Sequence, residues 1–402
     1  MDFKTNYRFL QLLAIILGAI SFTGCKNDKL EKEGVPPAPV AAFEMKPVER
    51  KGLFIALRDG RSILFIDKSK FEGISLNDVK VTTPTTVIKT NTEKVGVAVM
   101  NENLFYTEIT NNRLCRVVIN GFRVNNPIEF VNKSSISGNN TSTLWSIEGS
   151  TQSFYITQPT VTMSFEKPGS YTVRLATSDK YGQAGKSAVS TTMQIDSLEV
   201  QTVMSIPSRP RIIAIANGFM YIAASSQPGR GIIYRGSADG GSITPFINFT
   251  MQITGLAVDV SRNKIYWTVN TERNVQLEAA GIYVADLPNG ANPRLLIGGQ
   301  DCDAVAVNPT NGDVYFGDYQ TRSIKRVKSD GTSLQTIVSN LPNASVLGLY
   351  VDAETNRLYF SETSGTVNIV DISPSATFPI PFNRTILLAS NLNNPRGIFM
   401  RK

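Results

Sequence analysis

The chain has 402 residues, of which 42% are hydrophobic and 18% charged, as is typical of globular proteins with two or three domains. Its net charge of +7 is dispersed rather than gathered into lysine and arginine runs, so we expect no nucleic-acid partner. The chain contains no histidine, which excludes Ser-His-Asp and Cys-His catalysis and histidine-ligated zinc. Carboxylate chemistry and an all-oxygen Ca²⁺ site remain open.

Residues 1–24 predict a lipoprotein signal peptide. Lys4 and Arg8 form a basic start, and the apolar stretch that follows, "LQLLAIILGAI", is too short to span a bilayer. The next residues, "SFTGC", resemble the lipobox of bacterial lipoproteins, which implies lipidation of Cys25. Residues 25–49 are charged and then proline-rich, so we interpret them as a solvated tether. A plain secretory signal is the alternative.

Residues 50–121 and 200–402 contain a repeated unit of four short predicted strands. Its most regular part is an apolar strand, a polar turn and an aromatic-rich strand, as in "GLAVDVSRNKIYWTV". Aligned copies share an aromatic residue at one position, namely Phe105, Tyr221, Tyr266, Tyr315 and Tyr359. Four strands per unit of roughly 40–50 residues is typical of a β-propeller blade. We expect these aromatic residues in the core. Cys115 and Cys302 lie in strand-like apolar runs and are expected to be buried thiols, with a disulfide as the alternative.

The two ends of the chain each carry part of a sixth unit. "KGLFIALRDGRSILFID" matches a second and a third strand, with Phe54 at the aromatic position, but no first strand precedes it. The final residues, "PRGIFMRK", have the form of a first strand without a second. We predict that this C-terminal strand completes the N-terminal blade and leaves no open edge. Ile398 and Phe399 are then expected to be buried, with Phe399 beside the strand that holds Phe54.

The cores "YWT", "YFGD", "YFSE" and "FYTE" resemble the YWTD repeats of LDL-receptor-type propellers and the related NHL family. Those families form six-bladed propellers that mostly act as binding modules, and this is what the resemblance implies here. The acidic fourth position is kept in three units and lost in three: Glu108, Asp318 and Glu362 against Leu57, Ala224 and Val269. The resemblance implies blade-to-blade hydrogen bonds from this position, and therefore for only half of the ring.

Residues 122–199 interrupt the repeat between a third strand, "NRLCRVVING", and a fourth, "VQTVMSI". Alternating strands and two glycine turns predict a small β-sandwich there. Trp145 followed by "FEKPGSYTVRL" and "DKYG" resembles the PKD domain, a non-catalytic Ig-like spacer or adhesion module. The resemblance implies that Trp145 lies in the sandwich core and Tyr171 at its corner.

The sequence thus predicts an all-β protein, a six-bladed β-propeller closed by its N- and C-terminal strands, with an inserted Ig-like (PKD) sandwich. In a four-stranded meander, the 2→3 and 4→1 loops lie on the face opposite the sandwich and the tether. We predict the ligand site on that free face, because its loops are rich in arginine, which pairs with anionic groups. Seven residues are candidates: Arg58, Arg209, Arg211, Arg230, Arg273, Arg322 and Arg396. Acidic residues on the same loops could instead pair with them.

These features predict a lipid-anchored outer-membrane protein, surface-exposed or periplasmic, that binds a glycan or an envelope protein without catalysis, cofactor or metal. We expect a lipoprotein of the Bacteroidetes type; Asp196-Ser197-Leu198 resembles the O-glycosylation signal of that group, although a three-residue match also occurs often by chance. The alternative is an enzyme, a metal-dependent lactonase-like hydrolase or a polysaccharide lyase, acting in the central channel. Asp301 and Asp303 are the close acidic pair that such a site would use.

Overall fold

The computed structural model describes residues 40–134, 142–149, 153–178, 189–227, 229–271, 276–342 and 345–402. The predicted signal peptide, the lipidation site Cys25 and the candidate Arg273 lie outside these ranges. The described residues are strands joined by turns, with short 3-10 turns at Lys68–Lys70, Leu76–Asp78, Leu277–Ala279 and Phe382–Arg384. Within these ranges, no helix has the length and apolar character needed to cross a membrane.

Six antiparallel sheets of four strands account for most of the chain. In order of pairing, sheet 1 consists of β32 (Pro395–Arg401), β2 (Gly52–Leu57), β3 (Ser62–Asp67) and β4 (Thr85–Lys89), and sheet 2 of β5 (Lys94–Met100), β6 (Asn103–Glu108), β7 (Arg113–Val118) and β14 (Gln201–Ser205). Sheet 3 consists of β15 (Arg209–Ala216), β16 (Phe219–Gln227), β17 (Arg230–Ser237) and β18 (Ile243–Phe249), and sheet 4 of β19 (Gly255–Asp259), β20 (Lys264–Val269), β21 (Gly281–Asp286) and β22 (Arg294–Gly298). Sheet 5 consists of β23 (Cys302–Val307), β24 (Val314–Asp318), β25 (Ser323–Val327) and β26 (Gln335–Ser339), and sheet 6 of β27 (Val346–Asp352), β28 (Arg357–Glu362), β29 (Thr366–Asp371) and β31 (Ile386–Ala389). A two-residue strand, β30 (Ile380–Pro381), extends sheet 5 by pairing in parallel with β26.

The first strands of consecutive sheets contact one another. β32 contacts β5, and contacts then follow to β15, β19, β23 and β27, which in turn contacts β32. Glycines permit this close approach, since a Cβ at Gly96 would lie 2.9 Å from the backbone nitrogen of Ile213 in sheet 3. A Cβ at Gly397 would lie 3.0 Å from the backbone oxygen of Val95 in sheet 2. At these two positions the first strands therefore pack backbone against backbone, with no room for a side chain.

The apolar faces of neighbouring sheets form the core. The six repeat aromatics, including Phe54, are at most 2% exposed, so their predicted place in the core is confirmed. Trp267 stacks on Tyr283 with ring centroids 5.7 Å apart and also meets Phe249 edge-on. Cys115 and Cys302 are buried free thiols, as expected, and burial raises the pKa of Cys115 to about 11.

The C-terminal strand β32 pairs antiparallel with β2, and Phe399 stands directly opposite Phe54, as predicted. Ile398 is buried, but the prediction that Phe399 is buried is wrong, because its side chain is half-buried. The equivalent position is alanine in four of the other sheets, which indicates little space around it. The larger ring of Phe399 lies 6.3 Å from that of Tyr350, the remaining equivalent, and stays partly exposed.

Seven further strands form a β-sandwich: six lie in the connection between β7 and β14, the third and fourth strands of sheet 2, where the sequence predicts it, and β1 comes from the N-terminal segment. One of its sheets pairs in the order β1 (Phe43–Pro47), β8 (Pro127–Asn132) and β11 (Thr160–Ser164), and the other in the order β10 (Ser153–Ile156), β9 (Ser142–Gly149), β12 (Gly169–Ser178) and β13 (Val189–Ile195). Trp145 is fully buried between them. The Tyr171 hydroxyl donates to the backbone oxygen of Lys167 at 3.0 Å, which is the predicted corner role.

Part of the predicted tether belongs to the sandwich. Residues 25–49 were expected to be solvated, but β1 pairs with β8 along its whole length. Its side chains alternate between half-buried and exposed, and the ring of Phe43 lies 5.3 Å from that of Trp145. The physical reason is the period-2 pattern "FEMK", which gives one apolar face. The composition of the surrounding segment concealed this short strand.

Candidate functional site

One position, in or just before the first strand, faces the same cavity in all six sheets. It lies three residues before the residue that pairs with the repeat aromatic, and we call this set the inner layer. Its members, in the order of sheet contacts, are Arg396, Val95, Arg211, Thr254, Asp303 and Leu347. All six line a cavity of about 190 Å³. The signal that marks this layer in the sequence is the repeat register, because arginine content alone does not distinguish these positions from the rest of the loops.

A second set follows the second strands. It lies four residues after the repeat aromatic, and we call it the outer layer: Arg58, Ile109, Ser225, Asn270, Tyr319 and Thr363. Arg58, Ile109, Asn270 and Thr363 line the cavity. Ser225 instead accepts a hydrogen bond from Arg211 Nε at 3.2 Å. Tyr319 is 49% exposed. Four of the six outer-layer residues thus share the cavity with the inner layer.

Four of the seven candidate arginines converge on this cavity, namely Arg58, Arg209, Arg211 and Arg396. Arg230 and Arg322 are exposed and do not line it. Arg230 opens β17 and Arg322 precedes β25, both third strands, which stand two strands away from the cavity-lining first strands. Arg273 lies outside the described residues. The structure therefore separates four central arginines from two peripheral ones.

The arginines are distributed unevenly around the cavity. Sheet 1 contributes Arg58 and Arg396, and sheet 3 contributes Arg209 and Arg211. Sheet 2, between them, contributes the apolar side chains of Val95 and Ile109. Four guanidinium groups on one cavity concentrate positive potential there, which favours an anionic ligand.

Hydrogen bonds orient three of these guanidinium groups through Nε. Arg58 Nε donates to Glu93 Oε2 at 3.2 Å, and Arg396 Nε donates to Asn394 Oδ1 at 3.0 Å. Arg211 Nε donates to Ser225, as described above. Because the guanidinium is planar and rigid, fixing Nε fixes the direction of the whole group. The cationic side of the cavity is therefore preorganised.

The opposite side of the cavity is polar and carries a negative charge. Asn270 is buried and its Nδ2 donates to Asp303 Oδ1 at 2.8 Å. Thr254 Oγ1 donates to the backbone oxygen of Cys302 at 2.7 Å, which links sheets 4 and 5. Among the described residues that line the cavity, Asp303 is the single carboxylate. Ser345 and Thr363 complete this side from sheet 6.

The acidic pair noted in the sequence does not act as a pair. Asp301 accepts hydrogen bonds from the backbone nitrogen and Oγ1 of Thr271, both at 2.8 Å, and so holds the turn after β20. Only Asp303 of the two lines the cavity. In the part of the chain that the structure describes, no three acidic or cysteine side chains are grouped so that they could hold a metal ion.

The acidic fourth position of the repeat bonds within its own sheet rather than across sheets, which corrects the expectation from the resemblance. Glu108 Oε2 accepts from Arg113 Nε at 2.6 Å, and Asp318 Oδ2 accepts from Lys325 Nζ at 2.6 Å. Cross-sheet bonds come instead from hydroxyl groups such as that of Thr254. Another is Ser361 Oγ, which donates to the Pro395 backbone oxygen at 3.2 Å. A carboxylate here finds its donors on the adjacent strand and in the connections that flank it, such as Thr92 Oγ1, which donates to Glu108 Oε1 at 2.6 Å.

The pKa values of two of these acids, Glu108 and Glu362, are shifted in opposite directions. Burial opposes ionisation of Glu108, but hydrogen bonds from Arg113, Thr92 and Asn111 outweigh it and lower its pKa. Burial raises the pKa of Glu362, which no basic residue contacts in the described structure and which has hydroxyl partners only. The difference follows from the partner, because both side chains are fully buried.

The cavity and the sandwich lie at opposite ends of sheet 2. Ile109, at the end of β6, lines the cavity, and β7 then begins at Arg113 and runs away from it. The chain enters the sandwich from the far end of β7. The cavity therefore opens on the face that carries the 2→3 and 4→1 loops, away from the sandwich connection.

Comparison with known proteins identifies one domain. Residues 116–192 match the PKD domain family, which coincides with most of the sandwich. Three solved structures show low similarity. A chain of a nidogen–laminin complex is 12% identical with a TM-score of 0.32, covering 71% of this chain and 92% of that chain. A luciferin-regenerating enzyme is 13% identical with a TM-score of 0.36, covering 66% and 82%. A protein of unknown function from Desulfotomaculum acetoxidans DSM 771 is 11% identical with a TM-score of 0.43, covering 88% and 99%. Scores this low do not establish a shared fold or function.

Proposed function

We propose that the chain is a non-catalytic binding protein of the bacterial cell envelope, and that its arginine-lined cavity receives an anionic group of a glycan or a protein partner. The observation that carries this proposal is the convergence of four arginines on one cavity of about 190 Å³ with a single described carboxylate. Arginine binds carboxylate and sulfate-like groups through paired hydrogen bonds. Glu93 and Asp59 lie within 4 Å of Arg58 and Asp303 lines the cavity, so four arginines face three acids and an anion entering this site would offset the remaining positive charge.

The proposal includes a closed six-bladed β-propeller as the scaffold. Its support is the series of contacts between first strands, which runs through all six sheets and returns from β27 to β32. The pairing of β32 with β2 joins the two ends of the chain in one sheet. In such a ring the six inner-layer residues surround the axis, so a ligand on the axis meets one residue from each blade.

We further propose that the chain is an outer-membrane lipoprotein anchored at Cys25. The support is the lipobox-like "SFTGC" after an apolar stretch. The N-terminal segment leads into β1 of the sandwich, which connects to the opposite end of sheet 2 from the cavity. An anchor there leaves the cavity face directed away from the membrane. Replacing Cys25→Ser should release the protein from membranes in a fractionation experiment, and retention of the variant would contradict the anchor.

A matched pair of double variants tests the binding proposal. Arg211→Gln with Arg396→Gln removes two charges from the cavity, whereas Arg230→Gln with Arg322→Gln removes two charges from the periphery of the same face. On a glycan array and in pull-downs with envelope extracts, the cavity variant should lose at least about tenfold in affinity, as expected for lost charge-assisted hydrogen bonds. The peripheral variant should bind like the parent.

Three results would count against the proposal. Equal losses in both double variants would indicate general surface charge rather than a site. Binding that does not weaken with added salt would contradict an electrostatic contribution from the arginines. Turnover of any bound substrate would contradict a non-catalytic role.

A further inference from the structure

The size and lining of the cavity also indicate which class of anionic ligand it binds, provided that the proposed function holds. Its volume of about 190 Å³ lies below the roughly 300–1,000 Å³ of pockets that enclose drug-sized molecules. A guest must therefore be small, or must insert one small unit of a larger molecule. Because the cavity is open on the loop face, the rest of a larger molecule can remain outside.

The cationic side suits a carboxylate. Sheets 1 and 3 each place two arginines at the cavity, and Val95 and Ile109 of sheet 2 stand between the two pairs. A planar carboxylate between the pairs can accept paired hydrogen bonds from guanidinium groups whose orientation Glu93, Ser225 and Asn394 already hold. Val95 and Ile109 offer the carboxylate no competing polar partner from sheet 2.

The other side suits hydroxyl groups. Sheets 4 to 6 contribute four neutral polar side chains, Thr254, Asn270, Ser345 and Thr363, and one carboxylate, Asp303. A ligand that is only a carboxylate leaves these groups without a role in recognition, and a neutral sugar leaves the arginines without one. An ammonium group of a ligand would find only one acidic partner on this side, Asp303, beside the four neutral side chains. Several hydroxyls on a compact ring match the whole set, because each hydroxyl both donates and accepts.

We infer that the cavity binds a sugar acid, a single pyranose unit whose carboxylate meets the arginines of sheets 1 and 3 and whose hydroxyls meet Asp303 and its neutral polar neighbours. Sheet 5, which holds Asp303, is three steps from sheet 2 in either direction of the contact series. The two ends of one sugar ring would therefore contact opposite sides of the cavity. The unit can be a free sugar acid or the end of a glycan.

Calorimetric titration of the full chain in detergent tests this inference with five probes: glucuronate, its methyl glycoside, glucose, glutarate and β-alanine. Glucuronate should bind at least about tenfold more tightly than glucose, glutarate or β-alanine. Glucose lacks the carboxylate, and glutarate and β-alanine lack the hydroxyl groups. Binding of the methyl glycoside equal to that of glucuronate would indicate a glycan end, and loss of its binding would indicate a free sugar acid.

The variant Asp303→Asn separates the sugar from the anion. It keeps an acceptor oxygen for Asn270 but weakens acceptance from ligand hydroxyls, so glucuronate affinity should fall about tenfold. Glutarate affinity should stay the same or rise, because a like charge has been removed. Equal parental affinity for glutarate and glucuronate, or tighter glucuronate binding by the variant, would overturn the sugar-acid inference and leave the anion site standing. Failure of every anion to bind the parent chain would overturn the proposed function itself.

Discussion

Replacing Ile398→Ala should weaken the whole set of six sheets, not only the sheet that contains it. Ile398 is 8% exposed and packs in one apolar cluster with residues of sheets 1 and 6, including Leu53 and Tyr359. Removing its three outer carbons deletes buried surface and leaves a cavity, which typically reduces the free energy of unfolding by about 2–5 kcal/mol. That is a large part of the roughly 5–15 kcal/mol available to a folded domain.

The two tryptophans allow the loss of stability to be measured separately in the six sheets and in the sandwich. Trp267 is fully buried in sheet 4, and Trp145 is fully buried in the sandwich. Denaturant unfolding followed by fluorescence in a Trp145→Phe background reports on Trp267 alone, and a Trp267→Phe background reports on Trp145. If the sheets form one closed ring, Ile398→Ala should lower the Trp267 midpoint, although three steps of the contact series separate sheet 4 from sheet 1. The Trp145 midpoint should change much less.

Val260→Ala serves as the control, because that side chain is 40% exposed and its truncation should cost well under 1 kcal/mol. An unchanged Trp267 midpoint in Ile398→Ala would mean that the sheets unfold independently and would refute the closed ring. Deleting residues 395–402 should produce a larger loss in the same direction, because it also removes the buried Met400 and the whole ladder between β32 and β2.

Further predictions concern close packing and buried acids. Gly96→Ala should lower the melting temperature, with a loss of about 1–3 kcal/mol, because its Cβ would lie 2.9 Å from backbone in the next sheet; an unchanged melting temperature would contradict the close packing. Glu108→Gln should destabilise the protein at pH 7 by about 1–3 kcal/mol through the lost charge-assisted bond to Arg113. Its lowered pKa means that the native carboxylate adds stability above the usual glutamate pKa, so this deficit should shrink as pH falls below about 4. Glu362→Gln should do the opposite, because a raised pKa makes the charged form unfavourable in the folded state; it should raise the melting temperature at pH 7, and the gain should vanish below about pH 4. Melting curves of both glutamate variants between pH 3 and 8 would test this, and shifts of the same sign at pH 7 would contradict it.

The sequence was sufficient wherever a local pattern repeats. The aromatic spacing predicted the four-stranded units, and the unmatched first strand at the C-terminus predicted its pairing with the strand that holds Phe54. Local patterns succeed here because strand periodicity and turn residues act over a few residues, and the same solution recurs in each unit. The PKD-like segment was recognisable for a similar reason, since Trp145 and Tyr171 occupy characteristic places in a small sandwich.

What the sequence missed depended on neighbours that are remote along the chain. Nothing near Phe43 shows that β1 pairs with β8, more than 80 residues later. Likewise, seven loop arginines looked equivalent in the sequence, although Arg211 and Arg396 line the cavity while Arg230 and Arg322 do not.

The amino-acid sequence by itself determined the repeated strands, their buried aromatic positions and an arginine-rich face. The tertiary structure alone decided which charges share a cavity and which groups stand across from them. The physical reason is that side-chain burial follows local periodicity, whereas electrostatic and hydrogen-bonding neighbourhoods depend on distances across sheets. Those distances exist only once the first strands have packed against one another.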